Sequence, residues 1–132
     1  MARSTLKGFW RQKPTTAATP AQTLMGFTAS FDPTSATPVL LGTLPKGAFV
    51  HSVVSHGGAT GGTNPTVDIG TSADDDGFAN EMSADTADIA VAAGALALTK
   101  LTEDTGVFGK VGASAATGGT TTVSIFYFMD DA

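Results

Sequence analysis

The chain contains no cysteine, which removes disulfide frameworks, thiolate zinc sites and cysteine nucleophiles together and leaves the redox compartment open. Charge is scarce too. Only 14% of the residues are Asp, Glu, Lys or Arg, against roughly 25% in an ordinary soluble domain, so the surface has to be built from Thr, Ser, Gly and Ala. That is a coat-like surface more than an enzyme-like one. The longest mostly apolar stretch, Ile89 to Leu98, is broken by Gly94 and falls far short of the ~20 residues a bilayer needs. The N-terminus lacks the apolar core of a secretion signal, and the expectation is a soluble protein without a membrane partner. Its 132 residues suffice for one domain with one core and not for two of ordinary size.

What charge there is lies unevenly. Arg3, Lys7, Arg11 and Lys13 fall in the first thirteen positions, which hold no acid, so this segment carries +4. The rest sets three lysines against all twelve acids and carries −9. A basic leader on an acidic body reads as an interaction tail, and so acidic a body is repelled by phosphate backbones. Nucleic acid is not expected as a partner. The leader also holds Leu6, Phe9 and Trp10, the last being the only tryptophan. With Pro14, Pro20 and no sustained periodicity, residues 1–23 predict an extended basic arm. It either docks on another surface, packs back on its own domain or stays solvated.

Residues 24–132 predict an all-β domain. Short runs rich in Val, Ile, Thr and Phe alternate with turn residues. They place strands at Leu24–Ser30, Val39–Leu44, Phe49–Ser55, Thr66–Gly70, Ile89–Ala92, Ala95–Leu101, Val107–Ala113 and Thr120–Met129. About eight strands at this spacing make an antiparallel, jelly-roll-like β-sandwich. Gly77–Met82 could make one helical turn behind the acids 74–76, and the glycine-rich run His56–Asn64 reads as a flexible loop. Ala59-Thr60-Gly61-Gly62-Thr63 is echoed by Ala116-Thr117-Gly118-Gly119-Thr120, which suggests two similar hairpins.

Few residues invite chemistry. Asp74-Asp75-Asp76-Gly77 combines carboxylates with a turn glycine, as calcium loops do. With Gly77 as the sixth position of such a loop, however, the first and twelfth are Ser72 and Ser83. Asp74 and Asp76, with Asp68 or Glu81 as further ligands, therefore stand as weak metal candidates, and a solvated acidic turn is the plainer reading. His51 and His56, the only histidines, should face opposite sides of a regular strand unless a bulge intervenes. No Gly-x-Ser-x-Gly elbow, phosphate-binding loop or dinucleotide fingerprint is present, so neither an enzyme nor a cofactor is expected. The last strand carries Phe126 and Phe128 on the face opposite Val123, Ile125, Tyr127 and Met129. Either a loop covers the two rings or they bury against another chain, which contributes on the order of 3 to 6 kcal/mol and marks them as a candidate oligomer interface.

Several phrases together resemble a known family. They are Met1-Ala2-Arg3-Ser4-Thr5-Leu6-Lys7-Gly8, Leu44-Pro45-Lys46-Gly47-Ala48-Phe49-Val50, Asn64-Pro65-Thr66-Val67-Asp68-Ile69-Gly70-Thr71, Asp74-Asp75-Asp76-Gly77-Phe78 and Leu101-Thr102-Glu103-Asp104-Thr105. The chain resembles small structural proteins of tailed bacteriophage virions, of the head decoration or cement type. It departs from them at Phe9-Trp10, where a proline-led stretch would follow Gly8. The resemblance implies a β-rich homotrimer, made in the host cytoplasm, that sits on the outer surface of the capsid and bridges subunits of the major capsid protein. Arg3, Lys7, Phe9, Trp10, Arg11 and Lys13 would then contact the shell or an adjacent copy. The alternatives are a carbohydrate- or receptor-binding sandwich and a head-to-tail or tail component.

Overall fold

The computed structural model describes residues 23–91 and 94–129. Every regular element among them is a strand: β1 (Met25–Phe31), β2 (Val39–Leu44), β3 (Ala48–Ser55), β4 (Ala59–Thr60), β5 (Thr66–Gly70), β6 (Ala79–Ser83), β7 (Asp88–Val91), β8 (Thr105–Val111), β9 (Gly118–Gly119) and β10 (Thr121–Met129). Eight of these form two four-stranded antiparallel sheets, ordered β1-β10-β3-β7 and β2-β8-β5-β6. Setting aside the two-residue strands β4 and β9, the sheets read first-eighth-third-sixth and second-seventh-fourth-fifth in chain order. That is the jelly-roll arrangement, in which each strand crosses to the other sheet before the next begins, except at the hairpin of β5 and β6.

The strands form where the sequence alternates, because each sheet has one face to bury. In β10, Val123 and Ile125 are fully buried, as are Val50 and Val53 of β3, Val67 and Ile69 of β5 and Val107 of β8. Large rings from the edge strand β1 reach across the sandwich into places where the opposite sheet has no side chain. A Cβ on Gly42 would stand 2.6 Å from the Phe27 ring, and one on Gly109 would stand 2.8 Å from the Phe31 ring. Glycine inside a strand here marks close approach. Two buried hydroxyls tie the layers further: Ser55 Oγ donates to the Ser83 carbonyl at 2.8 Å and Thr121 Oγ1 to the Ala84 carbonyl at 3.2 Å, so burying them leaves no orphaned polar group.

The structure departs from sequence expectation in four places. Residues 95–98 form turns and not a strand. Gly94 lies against the Gly77 carbonyl, where any Cβ would collide, and Leu96 N–H donates to Gly77 O at 2.7 Å while Leu98 N–H donates to Val50 O at 2.9 Å. The segment is therefore pinned as a cap over β3 and the 77–78 corner. Residues 77–82 form no helical turn; pairing with β5 wins, burying Ala79 and Met82 in β6. In β3 the register against β10 shifts, since Phe126 opposes Ser52 and Tyr127 opposes Val50. His51 is thus an extra, bulged residue, and Ser52 and Val54 face out while Val53 and Ser55 face in. Finally, the run 56–64 is pinned and not free. Ala59 pairs with Gly119 and Thr60 with Gly118, so the two echoed Gly-rich segments pair with each other.

That junction depends on Gly58, whose φ is +115° and whose Cβ position is filled by the Thr120 carbonyl oxygen. Gly58→Ala is expected to cost about 2 kcal/mol and lower the thermal midpoint by roughly 5–10 °C. An unchanged midpoint in a melting experiment would contradict this reading of the loop.

Candidate functional site

Two outward surfaces result, and they differ in chemistry. The outer face of β2-β8-β5-β6 carries ions. Asp68 of β5 lies opposite Lys110 of β8, and Lys110 Nζ pairs with Asp75 Oδ2 at 2.6 Å. The acidic turn folds back over this sheet. Thr71 N–H donates to the Asp74 carbonyl at 2.8 Å, Gly77 N–H donates to the same oxygen at 3.1 Å, and Thr71 Oγ1 accepts the Asp74 N–H at 3.1 Å. Gly70 permits the fold-back, because a side chain there would run into the Asp74 carbonyl.

Asp74 and Asp76, the metal candidates, are brought together with Asp75, all three offering carboxylate oxygens within 4.8 Å of one another. Asp68 and Glu81 stand outside this cluster and meet each other instead, with Glu81 N–H donating to Asp68 Oδ1 at 2.8 Å. The triad satisfies itself locally. A hydrogen bond to Asp76 raises the Asp74 carboxyl above its ordinary range, and the hydrogen bond to Asp75 raises Lys110. A hard cation seeking six to eight oxygens would have to displace the Lys110 ammonium and draw on ligands beyond these three carboxylates. The arrangement fits an acidic turn held down by its own hydrogen bonds and by Lys110 better than a cage.

The outer face of β1-β10-β3-β7 carries aromatic rings and hydroxyls. Phe126 and Phe128 both lie on it, half-buried. The Phe128 centroid is 5.6 Å from that of Phe49 in a tilted contact and 5.6 Å from the His51 ring in an edge-on contact. Phe126 lies over Gly26, where a Cβ would come within 2.8 Å of the ring. Both rings keep part of their surface exposed, and Phe128 is flanked by Phe49 and His51. Next to them a hydroxyl row is closed by hydrogen bonds, His56 Nε2 to Ser124 Oγ at 2.9 Å, Thr28 Oγ1 to Ser124 Oγ at 2.8 Å and Ser30 Oγ to Thr122 Oγ1 at 2.7 Å. Ile89 stands at the far edge, 63% exposed. His51 and His56 share this face, contrary to the expectation that they face apart, because the bulge at His51 resets the alternation.

Arg3, Lys7, Phe9, Trp10, Arg11 and Lys13, the expected partner contacts, lie outside the described residues. Sequence reasoning placed Phe126 and Phe128 on one face but missed Phe49, His51, Val54 and Ile89 as their neighbours. The signal for the first two was present as aromatic and histidine residues on one strand parity, and the bulge hid the continuation. The Asp68–Lys110–Asp75 cluster had no local signal, since its members come together only through sheet pairing.

No family model matches the sequence, and no curated protein matches it. Solved structures do share the fold. One neighbour is a chain of the cyanophage Pam1 capsid asymmetric unit, with a TM-score of 0.65 and 20% identity over 87% of this chain and 94% of that one. Another belongs to the capsid of Ralstonia phage GP4, with a TM-score of 0.60 and 22% identity over 92% of this chain and 93% of that one.

Asp68 supplies a stability test. It is 8% exposed, and burial raises its carboxyl above the ordinary 3.8, against the opposing pull of the Glu81 N–H and Lys110 and with help from Asp76 and Asp75. The folded protein therefore holds this proton more tightly than the unfolded chain, and the stability of the neutral form is lost as pH rises from the ordinary value through the folded one. Asp68→Asn keeps an acceptor for Glu81 N–H without the charge. It is expected to melt above the wild type at pH 7 and level with it at pH 3; a lower midpoint at pH 7 contradicts the assignment.

Proposed function

We propose that this chain is a structural component of a tailed-phage head, a decoration or cement protein that binds the outer shell, bridges subunits of the major capsid protein and associates with copies of itself. The observation that carries the reading is the near end-to-end correspondence of its fold with chains found in two phage capsids. A like fold alone assigns no role, but three independent features point the same way. The surface is poor in ions, the leader carries +4 beside a lone tryptophan, and the body carries −9.

The mechanism is mechanical. A protein that binds the assembled shell and not its separated subunits stabilises the shell by the free energy of that preferential binding. Many modest contacts suffice, since each attached copy raises the effective concentration for the next contact. The basic arm supplies long-range attraction and the aromatic residues Phe9 and Trp10 supply burial, so attachment should weaken with salt without vanishing.

A non-enzymatic role is part of the proposal. Ser124 is 5% exposed and its hydroxyl is shared between His56 and Thr28, which closes it to a substrate. The groove lined by Asn64, Pro65, Thr66, Glu81, Ser83, Asp85, Thr86 and Asp88, about 330 Å³ in volume, has no aromatic platform on which a sugar ring would stack, and it gives the carbohydrate-binding alternative little support.

The test is co-sedimentation with expanded heads stripped of the protein. Wild type is expected to bind saturably and to raise the temperature at which the heads rupture. A variant with Arg3, Lys7, Trp10, Arg11 and Lys13 changed to Ala should melt like the wild type and lose attachment by roughly a thousandfold or more, given about 1 kcal/mol for each lost contact. Undiminished occupancy by this variant would refute the role of the arm.

A further inference from the structure

The four strands β1, β10, β3 and β7 hold a single Asp, Glu, Lys or Arg between them, Asp88. It turns away from the outer face, accepting the Ser83 N–H at 3.0 Å. Every outward position described on this sheet is therefore Phe, Val, Ile, His, Ser, Thr or Gly. An outer sheet face left to water ordinarily carries ions among its polar residues, as the opposite sheet does here with Asp68, Lys110 and Glu81. From this contrast we infer that copies of this chain associate with one another through the outer face of β1-β10-β3-β7, which deepens the self-association contained in the proposed function.

Charge selects the occupant. In a body of −9, two copies meeting through the other sheet would set the acids of one turn against those of the next, and like charges brought together cost several kcal/mol. The ion-free face is where copies can meet without that repulsion. Its rings and hydroxyls also find their match in the same face of another copy, as symmetric contacts require, whereas an ion-bearing foreign surface would leave charges unpaired against it.

Size sets the strength. Four strands ~4.8 Å apart and about seven residues long at ~3.4 Å each give a footprint on the order of 450 Å². A pair of copies then buries on the order of 900 Å², just under the range of stable specific interfaces. Association through this face alone should therefore be reversible and dependent on concentration.

The experiment is sedimentation velocity on the full-length chain, without heads, from roughly 1 to 100 µM, a range that brackets micromolar association. The wild type is expected to shift from monomer to oligomer across it. Ile89→Lys introduces a charge at an exposed edge position and should weaken association about tenfold or more, and Thr28→Lys, on the opposite edge strand of the same face, should do likewise. Leu40→Lys, on the other sheet at a position 58% exposed, should leave it unchanged, with folding of all three verified by melting. A wild type that stays monomeric throughout overturns the inference, as does dissociation by Leu40→Lys with none by the other two. A monomer that still attaches to heads would overturn this interface while leaving the capsid role standing.

Discussion

Everything in this structure depends on two sheets, each with one apolar face, closing on one another tightly enough to exclude water. The closure is made by side chains of one layer entering gaps in the other. Phe27 and Phe31 from β1 occupy the space above Gly42 and Gly109, and the fully buried valines and isoleucines of β10, β3, β5 and β8 fill the centre. Because β1 is an edge strand that, among the described residues, pairs with β10 alone, its attachment rests on these rings as well as on its ladder of hydrogen bonds. Losing either ring would forfeit burial on the order of 1.5–3 kcal/mol and leave a cavity besides. Once the interior is fixed in this way, the two outer faces are free to differ, and they do.

The difference is the functional content of the fold. One outer face carries an acidic turn held down by Thr71 and Lys110; the other carries clustered rings and a closed row of hydroxyls. Polarity here is divided by side. A two-sided slab with a charged leader suits a body that joins its own kind on one side and presents charge on the other. The jelly roll shared with chains of two phage capsids is a scaffold compatible with that division.

Much of the architecture was legible in the residues. Val39–Leu44 and Thr66–Gly70 form strands with the boundaries that their flanking prolines and glycines indicate, and the aromatic and β-branched crowding at the C-terminus marks β10. What alternation could not reveal was where it breaks. His51 is inserted against β10, and nothing in Val50-His51-Ser52 announces an extra residue, because a bulge is settled by the partner strand. Residues 95–98 read as strand from composition, yet Gly94 seats them against the Gly77 carbonyl, a contact between sequence-distant backbones that no local propensity encodes. The same limit applied to the surface. Phe126 and Phe128 were visible as a pair, but their continuation to Phe49, Val54 and Ile89 required the register of three strands.

The central claim, that the ion-free face joins copies while the basic leader holds the shell, is tested most directly by a particle reconstruction that traces the strands. The account predicts density for this chain on the outside of the head, with neighbouring copies meeting across β1-β10-β3-β7 and residues 3–13 running onto the capsid protein. Isolated copies with that sheet facing solvent, or particles that lack the chain altogether, would contradict it.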